Sequence, residues 1–567
     1  MIQEKTLTGY PSIDKPWLKY YSEEAINAVP PKCSIYENIY EANREYLEET
    51  ALLYYGKKVT YKKLFHEVDK AAKAFVSCGV NYGDNVAICM PATPETIYTI
   101  LALNKIGANA NMLNPTFSEE QLRDRINDTE AKVLVVVNEL FWRVKNVLSK
   151  TKIETVVSCS AVNSLGAVIK AIKKVKKIPN TMVWNEFVKK EKDVTLTIPG
   201  YKPNHPAVMV YSSGTTGASK GIQLTNDSIN ATINEGKYIG FEWKRQDRYI
   251  AVVPIWFSTG ICATVLVPLR HGITVILEPT YDFKVFYEHI VKYRPNFTIT
   301  ASGLPNYLAS EKELEEAYKS FKYFVVGGEY VTPHVEKRLN QWLEKNGSPE
   351  KLHKGYGMCE CGGTVTATHY KCNVVGSAGI PTPHVTVAAF DLTTGKELKY
   401  GERGEVRVLS PCRMLGYYGK PEATEEYFHT DEKGQVWACT GDMGYVTEDG
   451  CLFVDGRLSS SYRNEDGGVI YLFDIERAVL DHEQVRQCKT VVSEVDGKCV
   501  HVAHVVLMPG ADEEKVLQEV KKHCFEKLPK NHMPSLVKLY EDALPVSKSG
   551  KLDVLAMESD VTDLVKL

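Results

Sequence analysis

The chain has 567 residues, too many for one hydrophobic core, so we expect at least two domains. Apolar residues at 44% and charged residues at 25% are ordinary globular values, which exclude a fibrous, disordered or membrane-embedded protein. A net charge of -3 without a long Lys/Arg block favours small ligands over nucleic acid or anionic lipid.

Neither the N-terminus nor any later segment predicts export or membrane insertion. Residues 1–7 lack the basic start and apolar core of a secretory signal, and no stretch reaches the roughly 18 apolar residues of a membrane span. The 14 cysteines are scattered, which favours reduced thiols over metal or disulfide use. We therefore predict a cytoplasmic protein.

From about residue 60 the sequence alternates between helix and strand signals. Apolar residues recur at helical spacing from Leu64 to Phe75 and stop before Gly79, as in an amphipathic helix with a glycine end. A second helix is predicted from Pro94 to Lys105. Strands are predicted at 86–89, 132–137, 207–211, 249–253, 273–277, 297–300 and 323–326. This alternation predicts an α/β body of doubly wound sheets.

The character of the sequence changes twice after this body. Residues 385–455 contain short strands between Gly and charged turns, which predicts a small β-rich subdomain. The last segment has helix signals at 474–481 and 512–526 and strand signals at 489–495, 500–507 and 536–541. We predict a large domain over residues 1–457, which includes the β-rich subdomain, and a small mobile α+β lid domain over 458–567.

The most specific string in the sequence follows the predicted strand that ends at Tyr211. Residues 211–221 read Tyr-Ser-Ser-Gly-Thr-Thr-Gly-Ala-Ser-Lys-Gly. Small hydroxyl side chains, backbone N–H groups and one cation can surround phosphate oxygens, and the glycines allow close approach. The string differs from a Walker A loop because, after the four residues that follow Gly214, Ser219 stands where a glycine is required, and the lysine precedes a glycine.

With this string the chain resembles the adenylate-forming superfamily of acyl-CoA synthetases, luciferases and peptide-synthetase adenylation domains. The resemblance covers nearly the whole chain. Its further motifs are Val59-Thr-Tyr61 with Leu64, Gly107-Ala108 with Asn114-Pro115, Gly327-Gly-Glu329, Tyr356-Gly-Met-Cys-Glu360, Gly404-Glu405, Gly416-Tyr417, Pro421-Glu-Ala-Thr424, Thr440-Gly-Asp442, Gly456-Arg457, Asp474-Ile-Glu476 and Pro545-Val-Ser-Lys-Ser-Gly-Lys551.

The resemblance implies ATP, Mg²⁺ and coenzyme A as cofactors, and a carboxylic acid as substrate. In such enzymes the carboxylate attacks the α-phosphate of ATP, so cations and donors must surround two anions. Glu360 would hold Mg²⁺, Thr215, Thr216 and Lys220 would clamp the departing phosphates, and Lys551 would reach the α-phosphate from the small domain. We take Lys551, Glu360, Lys220 and Thr216 as the catalytic residues.

The same resemblance implies a nucleotide site. Asp442 would accept the ribose hydroxyls, Arg457 would donate to ribose or phosphate, and Tyr356 would offer a face to adenine. Taken singly, Asp442 could cap a turn, and Arg457 could be a surface cation. The full nucleotide-binding set is Ser212, Ser213, Gly214, Thr215, Thr216, Gly217, Lys220, Gly328, Glu329, Tyr330, Tyr356, Gly357, Met358, Cys359, Asp442, Arg457 and Lys551.

The hinge and the acyl site are assigned in the same way. Ser459 would be the hinge on which the small domain rotates between adenylation and thiol attack. The acyl pocket would include Trp256, Phe257, Gly260 and Gly362, although the two aromatic residues could equally be packing residues.

Four residues depart from the family pattern. Phe257 stands where a histidine is usual, Cys359 replaces a threonine, Ser459 replaces an Asp or Lys, and Asp474 replaces a common glutamate. None of these changes removes a residue assigned to adenylation. We predict an acyl-CoA synthetase, with loading of a carrier protein as the enzymatic alternative. A nucleotide-binding protein without turnover is the third possibility, and the sequence does not reveal the acid or the oligomeric state.

Overall fold

The computed structural model describes residues 7–165, 177–212, 219–301, 319–328, 330–463, 469–529, 532–534, 536–545 and 552–567. The fold consists of two large sheets whose strands interleave along the chain, a smaller antiparallel sheet and a C-terminal α+β unit. The helices of the part before residue 458 are Pro11–Asp14, Glu23–Asn27, Ile35–Asn43, Tyr61–Ser77, Pro94–Lys105, Glu119–Asp128, Phe141–Lys145, Trp184–Phe187, Asn226–Lys237, Val267–Arg270, Phe283–Tyr293, Pro333–Lys345 and Pro421–Tyr427.

The first large sheet has eight strands, of which the six from Pro206–Tyr211 to Met182–Val183 are parallel. In spatial order they are Gly416–Tyr417, Gly221–Thr225, Pro206–Tyr211, Asn109–Met112, Asn85–Cys89, Val133–Val137, Thr155–Cys159 and Met182–Val183. The strand Gly221–Thr225 turns back antiparallel to Pro206–Tyr211, so the phosphate-loop string connects two adjacent strands.

The second large sheet has nine strands. In spatial order they are Ile380–Pro381, Thr366–Ala367, His353–Tyr356, Tyr323–Gly327, Phe297–Thr300, Arg248–Ala251, Thr274–Leu277, Thr50–Tyr54 and Lys57–Thr60. The central strands are parallel, so their carboxyl ends meet at one edge. In open α/β sheets this edge is where ligands bind.

Helices between the two sheets form a shared core. Helix Pro94–Lys105 is buried along its whole length, as expected of a helix covered on all sides. Helix Tyr61–Ser77 begins where the Thr60 hydroxyl accepts a hydrogen bond from the backbone N–H of Lys63. It ends before Gly79, whose φ of +81° suits glycine. The structure confirms both predicted helices and the predicted α/β fold class.

The segment predicted to be β-rich folds as a five-stranded antiparallel sheet. Its strands are Thr386–Phe390, Gly404–Leu409, Phe428–Thr430, Val436–Val446 and Leu452–Arg457. Two of them pair so that Asp442 lies directly opposite Arg457. This register brings two predicted nucleotide-site residues together.

The C-terminal segment has its own apolar core. It contains a strand pair, Ser461–Arg463 with Val469–Tyr471, and a four-stranded sheet. The sheet strands are Val485–Val495, Lys498–Leu507, Leu536–Tyr540 and Val565–Lys566, and the helices are Leu472–Leu480, Glu513–Lys527 and Val554–Ser559. The domain boundary at residues 457 and 458 stays a prediction. In the described ranges, no helix is both long and apolar enough to cross a bilayer.

Candidate active site

Both ends of the phosphate-loop string are fixed to each other. The Ser212 N–H donates to the carbonyl of Lys220 at 3.0 Å, and the Lys220 N–H donates to the Ser212 hydroxyl at 3.0 Å. The Ser219 hydroxyl donates to the Ser212 carbonyl at 2.7 Å, and the Arg125 guanidinium donates to the Ser219 carbonyl. The loop therefore leaves the sheet from a closed base. Its predicted phosphate ligands Ser213, Gly214, Thr215, Thr216 and Gly217 lie outside the described residues.

Tyr417 lies between the loop lysine and the predicted metal-binding carboxylate. The Lys220 Nζ is 4.8 Å from the Tyr417 ring centroid, a cation–π distance. The Tyr417 hydroxyl donates to Glu360 Oε1 at 2.9 Å. Burial raises the pKa of Tyr417, and the neighbouring Glu360 carboxylate raises it further, so the phenol keeps its proton. One tyrosine thus positions a cation and a carboxylate from distant parts of the chain.

The short turn that carries Glu360 is anchored through its backbone. The N–H of Met414 donates to the Glu360 carbonyl at 2.7 Å. A Cβ on Gly357 would lie 2.3 Å from the carbonyl oxygen of Gly363, so only glycine fits at the start of this turn. Met358 accepts a contact from the Tyr427 hydroxyl at 3.0 Å between oxygen and sulfur. Cys359 is half-buried in the same turn.

Asp442, Arg457 and Tyr356 form one cluster at the edge of the second sheet. The Tyr356 hydroxyl donates to Asp442 Oδ2 at 2.5 Å, and Arg457 Nε lies 2.9 Å from Asp442 Oδ1. A second guanidinium nitrogen of Arg457 donates to the Thr440 carbonyl at 2.9 Å. Three of the predicted nucleotide-site residues are therefore in direct contact.

Electrostatics connects this cluster with Glu360. The Asp442 side chain is buried, and burial raises its carboxyl pKa above the ordinary value. Arg457 and the Tyr356 hydrogen bond lower the pKa, whereas the carboxylates of Glu405 and Glu360 raise it. Glu360 stands only four residues after Tyr356, in the turn that follows strand His353–Tyr356, so the carboxylate near the loop and the Asp442 cluster are joined by one short stretch of chain.

The predicted nucleotide-site residues that follow strand Tyr323–Gly327 lie next to the C-terminal unit. Gly328 adopts a φ of +81°, and Glu329 lies outside the described residues. The partly exposed ring of Tyr330 lies 5.1 Å from the Arg477 guanidinium carbon. Arg477 belongs to helix Leu472–Leu480 of the C-terminal unit and pairs with the buried Asp455 at 2.8 Å. In this arrangement Tyr330 contacts the C-terminal unit, and its contact with a nucleotide base stays a prediction.

The four residues predicted for an acyl pocket lie on two neighbouring segments. The Trp256 and Phe257 rings are 6.3 Å apart, and Trp256 packs against the shared core. Gly260 begins the first turn of the π-helix Thr259–Leu266. Gly362 has a φ of +71°, and an added Cβ would lie 2.2 Å from the Thr232 hydroxyl. Their role in binding an acid stays a prediction.

We expect Gly260→Ala to lower the free energy of unfolding by about 2 kcal/mol or more. The new Cβ would lie 2.0 Å from the carbonyl oxygen of Pro254, which is backbone and cannot rotate away. Urea denaturation measures the effect. Gly200→Ala is the matched control because nothing lies within 4 Å of its Cβ position. Equal unfolding midpoints for the two variants would contradict the prediction.

A small apolar cavity of about 20 Å³ borders the turn that carries Glu360. Thr232 and Thr364 line its near side, close to Gly362. The remaining lining is mostly aromatic and aliphatic, from helix Asn226–Lys237, the loop that follows it, the π-helix and the second sheet: Gly236, Ile239, Phe241, Trp243, Tyr249, Ala263, Val267, Phe297, Thr298, Ile299, Tyr323 and Val325. A space of this size holds about one water molecule, and its lining is an apolar wall beside the Glu360 turn.

Several residues of the site were not among the sequence predictions. Tyr417 stands in a matched motif, but its contacts with Lys220 and Glu360 depend on strand pairing across the fold. Arg125 lies on helix Glu119–Asp128, and in the sequence it looks like an ordinary cation on a helix surface. Of the predicted residues, the hinge residue Ser459 is exposed and its role stays a prediction, and the catalytic residue Lys551 lies outside the described residues.

Comparisons with known proteins agree over most of the chain. The family model of AMP-binding enzymes matches residues 39–418, and the model of the AMP-binding enzyme C-terminal domain matches residues 474–551. A long-chain-fatty-acid–CoA ligase of Bacillus subtilis (strain 168) is 27% identical over 555 residues, covering 95% of this chain and 96% of the relative.

Two solved structures show the same fold. The crystal structure of an anthranilate CoA ligase in complex with anthranoyl-AMP aligns with a TM-score of 0.80 and 20% identity, covering 93% of this chain and 97% of the other. A benzoate CoA ligase from Burkholderia xenovorans LB400 aligns with a TM-score of 0.78 and 17% identity, covering 93% and 100%.

Proposed function

We propose that this chain, which belongs to the AMP-binding enzyme family, is an acyl-CoA synthetase that activates a carboxylic acid with ATP. In the first step the acid carboxylate attacks the α-phosphate, which forms an acyl-adenylate and releases pyrophosphate. In the second step the thiol of coenzyme A attacks the acyl carbonyl and releases AMP. The full-length similarity to a fatty acid–CoA ligase supports coenzyme A as acceptor.

One observation carries this proposal: Lys220 and Glu360 meet at Tyr417. When one anion attacks another, positive groups must lie next to the phosphates. A lysine and a metal ion held by a carboxylate can supply this charge. The geometry places both protein groups around one ring, at the base of the phosphate-loop string. Lys220 would act as a point charge on the departing phosphates.

Glu360 fits a magnesium ligand. It is only partly buried, and no lysine or arginine in the described ranges forms an ion pair with it. Within those ranges no three metal-ligating side chains cluster. Mg²⁺ commonly binds one or two carboxylates and completes its shell with substrate phosphates and water. When bound, the ion would neutralise charge on the ATP phosphates.

The Asp442 cluster has the hydrogen-bonding groups needed to bind the ribose of ATP. A carboxylate offers about four lone-pair sites, and Tyr356 and Arg457 occupy two of them. The remaining sites would accept the two ribose hydroxyls, and the Tyr356 ring would lie beside adenine. The lid domain over 458–567 would rotate at Ser459 and bring Lys551 to the α-phosphate. These assignments extend the family resemblance to residues of this chain.

The apolar lining beside the Glu360 turn favours an acid with an apolar body. Its near side borders the Glu360 turn, so a carboxylate at that turn would direct the rest of the molecule between helix Asn226–Lys237 and the second sheet. The acids for which the relatives are named, long-chain fatty acids and aromatic acids, both have an apolar body. The cytoplasm stays the predicted location.

A panel of carboxylic acids with ATP and Mg²⁺, with and without coenzyme A, tests the proposal. Mass detection should find acyl-AMP, AMP and pyrophosphate only with suitable acids, and acyl-CoA only when coenzyme A is present. Thioester formation on a phosphopantetheinylated carrier protein, and none on coenzyme A, would favour the carrier alternative. ATP binding with no acid-dependent pyrophosphate release across the panel would indicate a nucleotide-binding protein without turnover.

We expect Asp442→Asn to weaken ATP use without unfolding the protein. Because burial makes the carboxylate costly, asparagine should change the free energy of unfolding by only about 1 kcal/mol in either direction. Losing the charged acceptor should raise the KM for ATP by about tenfold or more. Steady-state kinetics and thermal melting measure both effects. The exposed Asp449→Asn is the control, and an unchanged KM in Asp442→Asn would exclude the ribose role.

A further inference from the structure

We propose that Cys372 and Cys451 form a site of reversible oxidation, at which a peroxide converts two free thiols into one disulfide bond. The bond would join the second large sheet to the smaller antiparallel sheet. It would stabilise this junction and leave acid activation unchanged. The site is separate from the proposed active site and does not depend on which acid the protein activates.

The two sulfurs lie close together although 79 residues separate them in the chain. Cys372 Sγ is 3.3 Å from Cys451 Sγ, and both residues are free thiols. A disulfide bond is about 2.05 Å long, so its formation requires the sulfurs to approach by about 1.3 Å. Small rotations of the two side chains can supply this movement. The folded chain therefore holds the pair near bonding distance.

Each cysteine belongs to a turn whose backbone is fixed. Cys372 takes part in two backbone hydrogen bonds, at 2.8 and 3.3 Å, across the turn that follows strand Thr366–Ala367. Cys451 exchanges two hydrogen bonds with Thr447 and directly precedes strand Leu452–Arg457. The two strands belong to different sheets. A bond between the turns would therefore join these sheets.

The N-terminal segment Pro16–Tyr20 covers the pair. Its Trp17 is buried in one apolar cluster with both cysteines. The next charged residue, Lys19, pairs with Asp449 at 2.8 Å, and these two side chains are 49% and 71% exposed. Both charges act on the Cys372 thiol, so the sulfurs lie just beneath an exposed ion pair. A molecule as small as hydrogen peroxide can reach them when this ion pair opens.

Hydrogen bonding prepares Cys372 to react first. The Cys451 thiol and the Tyr20 hydroxyl donate to the Cys372 sulfur. The hydrogen bond from Cys451 lowers the pKa of Cys372 to about 7, against the opposing effect of burial, and Tyr20 adds to the lowering. The same contact raises the pKa of Cys451, which keeps its proton. Because the thiolate is the nucleophilic form, Cys372 is the residue that a peroxide would oxidise.

The reaction consumes one molecule of hydrogen peroxide. The Cys372 thiolate attacks one peroxide oxygen, the O–O bond breaks, and hydroxide leaves a sulfenic acid behind. The Cys451 sulfur then attacks the sulfenic sulfur, the S–O bond breaks, and the proton of Cys451 leaves with the oxygen as water. The first hydroxide takes up the proton that Cys372 released. Two thiols thus lose two electrons, and the peroxide is reduced to two waters.

Peptide mapping after peroxide treatment tests the proposal. Trypsin cuts on both sides of residues 372–396 and of residues 434–457, and these peptides carry Cys372 and Cys451 respectively. The reduced protein is treated with one equivalent of hydrogen peroxide, and free thiols are then alkylated in urea before digestion. The two peptides should appear joined, at the sum of their masses less two hydrogens. Dithiothreitol should release both by thiol–disulfide exchange.

Two serine variants identify the cysteine that joins Cys372. Cys439 lies on the same tryptic peptide as Cys451, so Cys439→Ser is the matched control for Cys451→Ser. Cys439→Ser should keep the joined peptides, and Cys451→Ser should lose them. Survival in Cys451→Ser or loss in Cys439→Ser would assign the bond to Cys439 and overturn the proposal.

The oxidised protein should be more stable and still active. The bond would close a loop of 79 residues, which restricts the unfolded chain. The urea midpoint of the wild type should therefore rise on oxidation and return with dithiothreitol, and neither change should occur in Cys372→Ser. Acid-dependent pyrophosphate release should not change, because six residues, or about 20 Å of extended strand, separate Cys451 from Arg457.

Two results with the wild type alone would also overturn the proposal. One is full alkylation of both cysteines, with the peptides unlinked, after peroxide treatment. The other is an oxidised protein whose urea midpoint is no higher than that of the reduced protein. Both measurements decide the matter even where a serine variant fails to fold. If no acid gives pyrophosphate, the acyl-CoA synthetase proposal fails, whereas the joined peptides are measured independently of activity.

Discussion

Replacing Glu360 with glutamine is expected to slow acid-dependent pyrophosphate release by roughly 10²- to 10³-fold. Glutamine keeps the length of the side chain and can still accept the Tyr417 hydrogen bond at the position of Oε1. It loses the charge that holds a hard cation near the phosphates. Pyrophosphate release measured over a range of Mg²⁺ concentrations should show a raised Mg²⁺ requirement as well as a lower maximal rate.

The exposed Glu426→Gln, on helix Pro421–Tyr427 next to the site, is the control for charge loss in Glu360→Gln. It should behave as the wild type does. Near-UV circular dichroism and melting temperature should be similar for all three proteins, because Glu360 makes no ion pair with a described residue. A Glu360→Gln rate within a few-fold of the wild type would assign the metal to other ligands.

The sequence was sufficient for elements whose signals are local. Helix Tyr61–Ser77 follows from apolar spacing, the Thr60 cap and the glycine end, all within one stretch of chain. Strand Val133–Val137 follows from a short apolar run, and strand Phe297–Thr300 follows from alternating apolar and polar residues. Such features depend on neighbours a few residues apart, so a single sequence contains them.

The site depends on contacts between distant segments, and these were predictable only in part. Motif resemblance indicated Asp442 and Arg457, but their direct contact results from the register of two strands. The meeting of Lys220, Tyr417 and Glu360 requires strand Gly416–Tyr417 to pair with Gly221–Thr225. No periodicity in a sequence specifies such a pairing.

The cavity was the least predictable part of the site. Tyr249, Phe297 and Tyr323 come from three strands, and each resembles an ordinary core aromatic in its own segment. Only the lateral alignment of the strands places them in one row. The Tyr249 hydroxyl is buried and has no hydrogen-bond partner among the described residues, and this is likewise a property of the packed structure that one segment of sequence does not contain.

Replacing Lys551 with alanine is expected to reduce acyl-adenylate formation by roughly 10²- to 10³-fold. The match to the family's C-terminal domain ends at Lys551. Its proposed role is to stabilise the charge that develops when the carboxylate attacks the α-phosphate, where the two anions repel each other. ATP binding should change little, because Lys220 and the Asp442 cluster are the groups that we propose to bind the phosphates and the ribose.

The two half-reactions distinguish this role from a general structural one. Lys551→Ala supplied with synthetic acyl-AMP and coenzyme A should form acyl-CoA at nearly the wild-type rate, because thiol attack on the acyl carbonyl requires no charge stabilisation at the entering carboxylate. Pyrophosphate release from ATP and acid measures the other half. Lys566→Ala, which removes an exposed lysine of strand Val565–Lys566, is the control and should retain both activities. An equal loss in both half-reactions would show that Lys551 supports the site as a whole, and full adenylation activity would exclude the proposed contact with the α-phosphate.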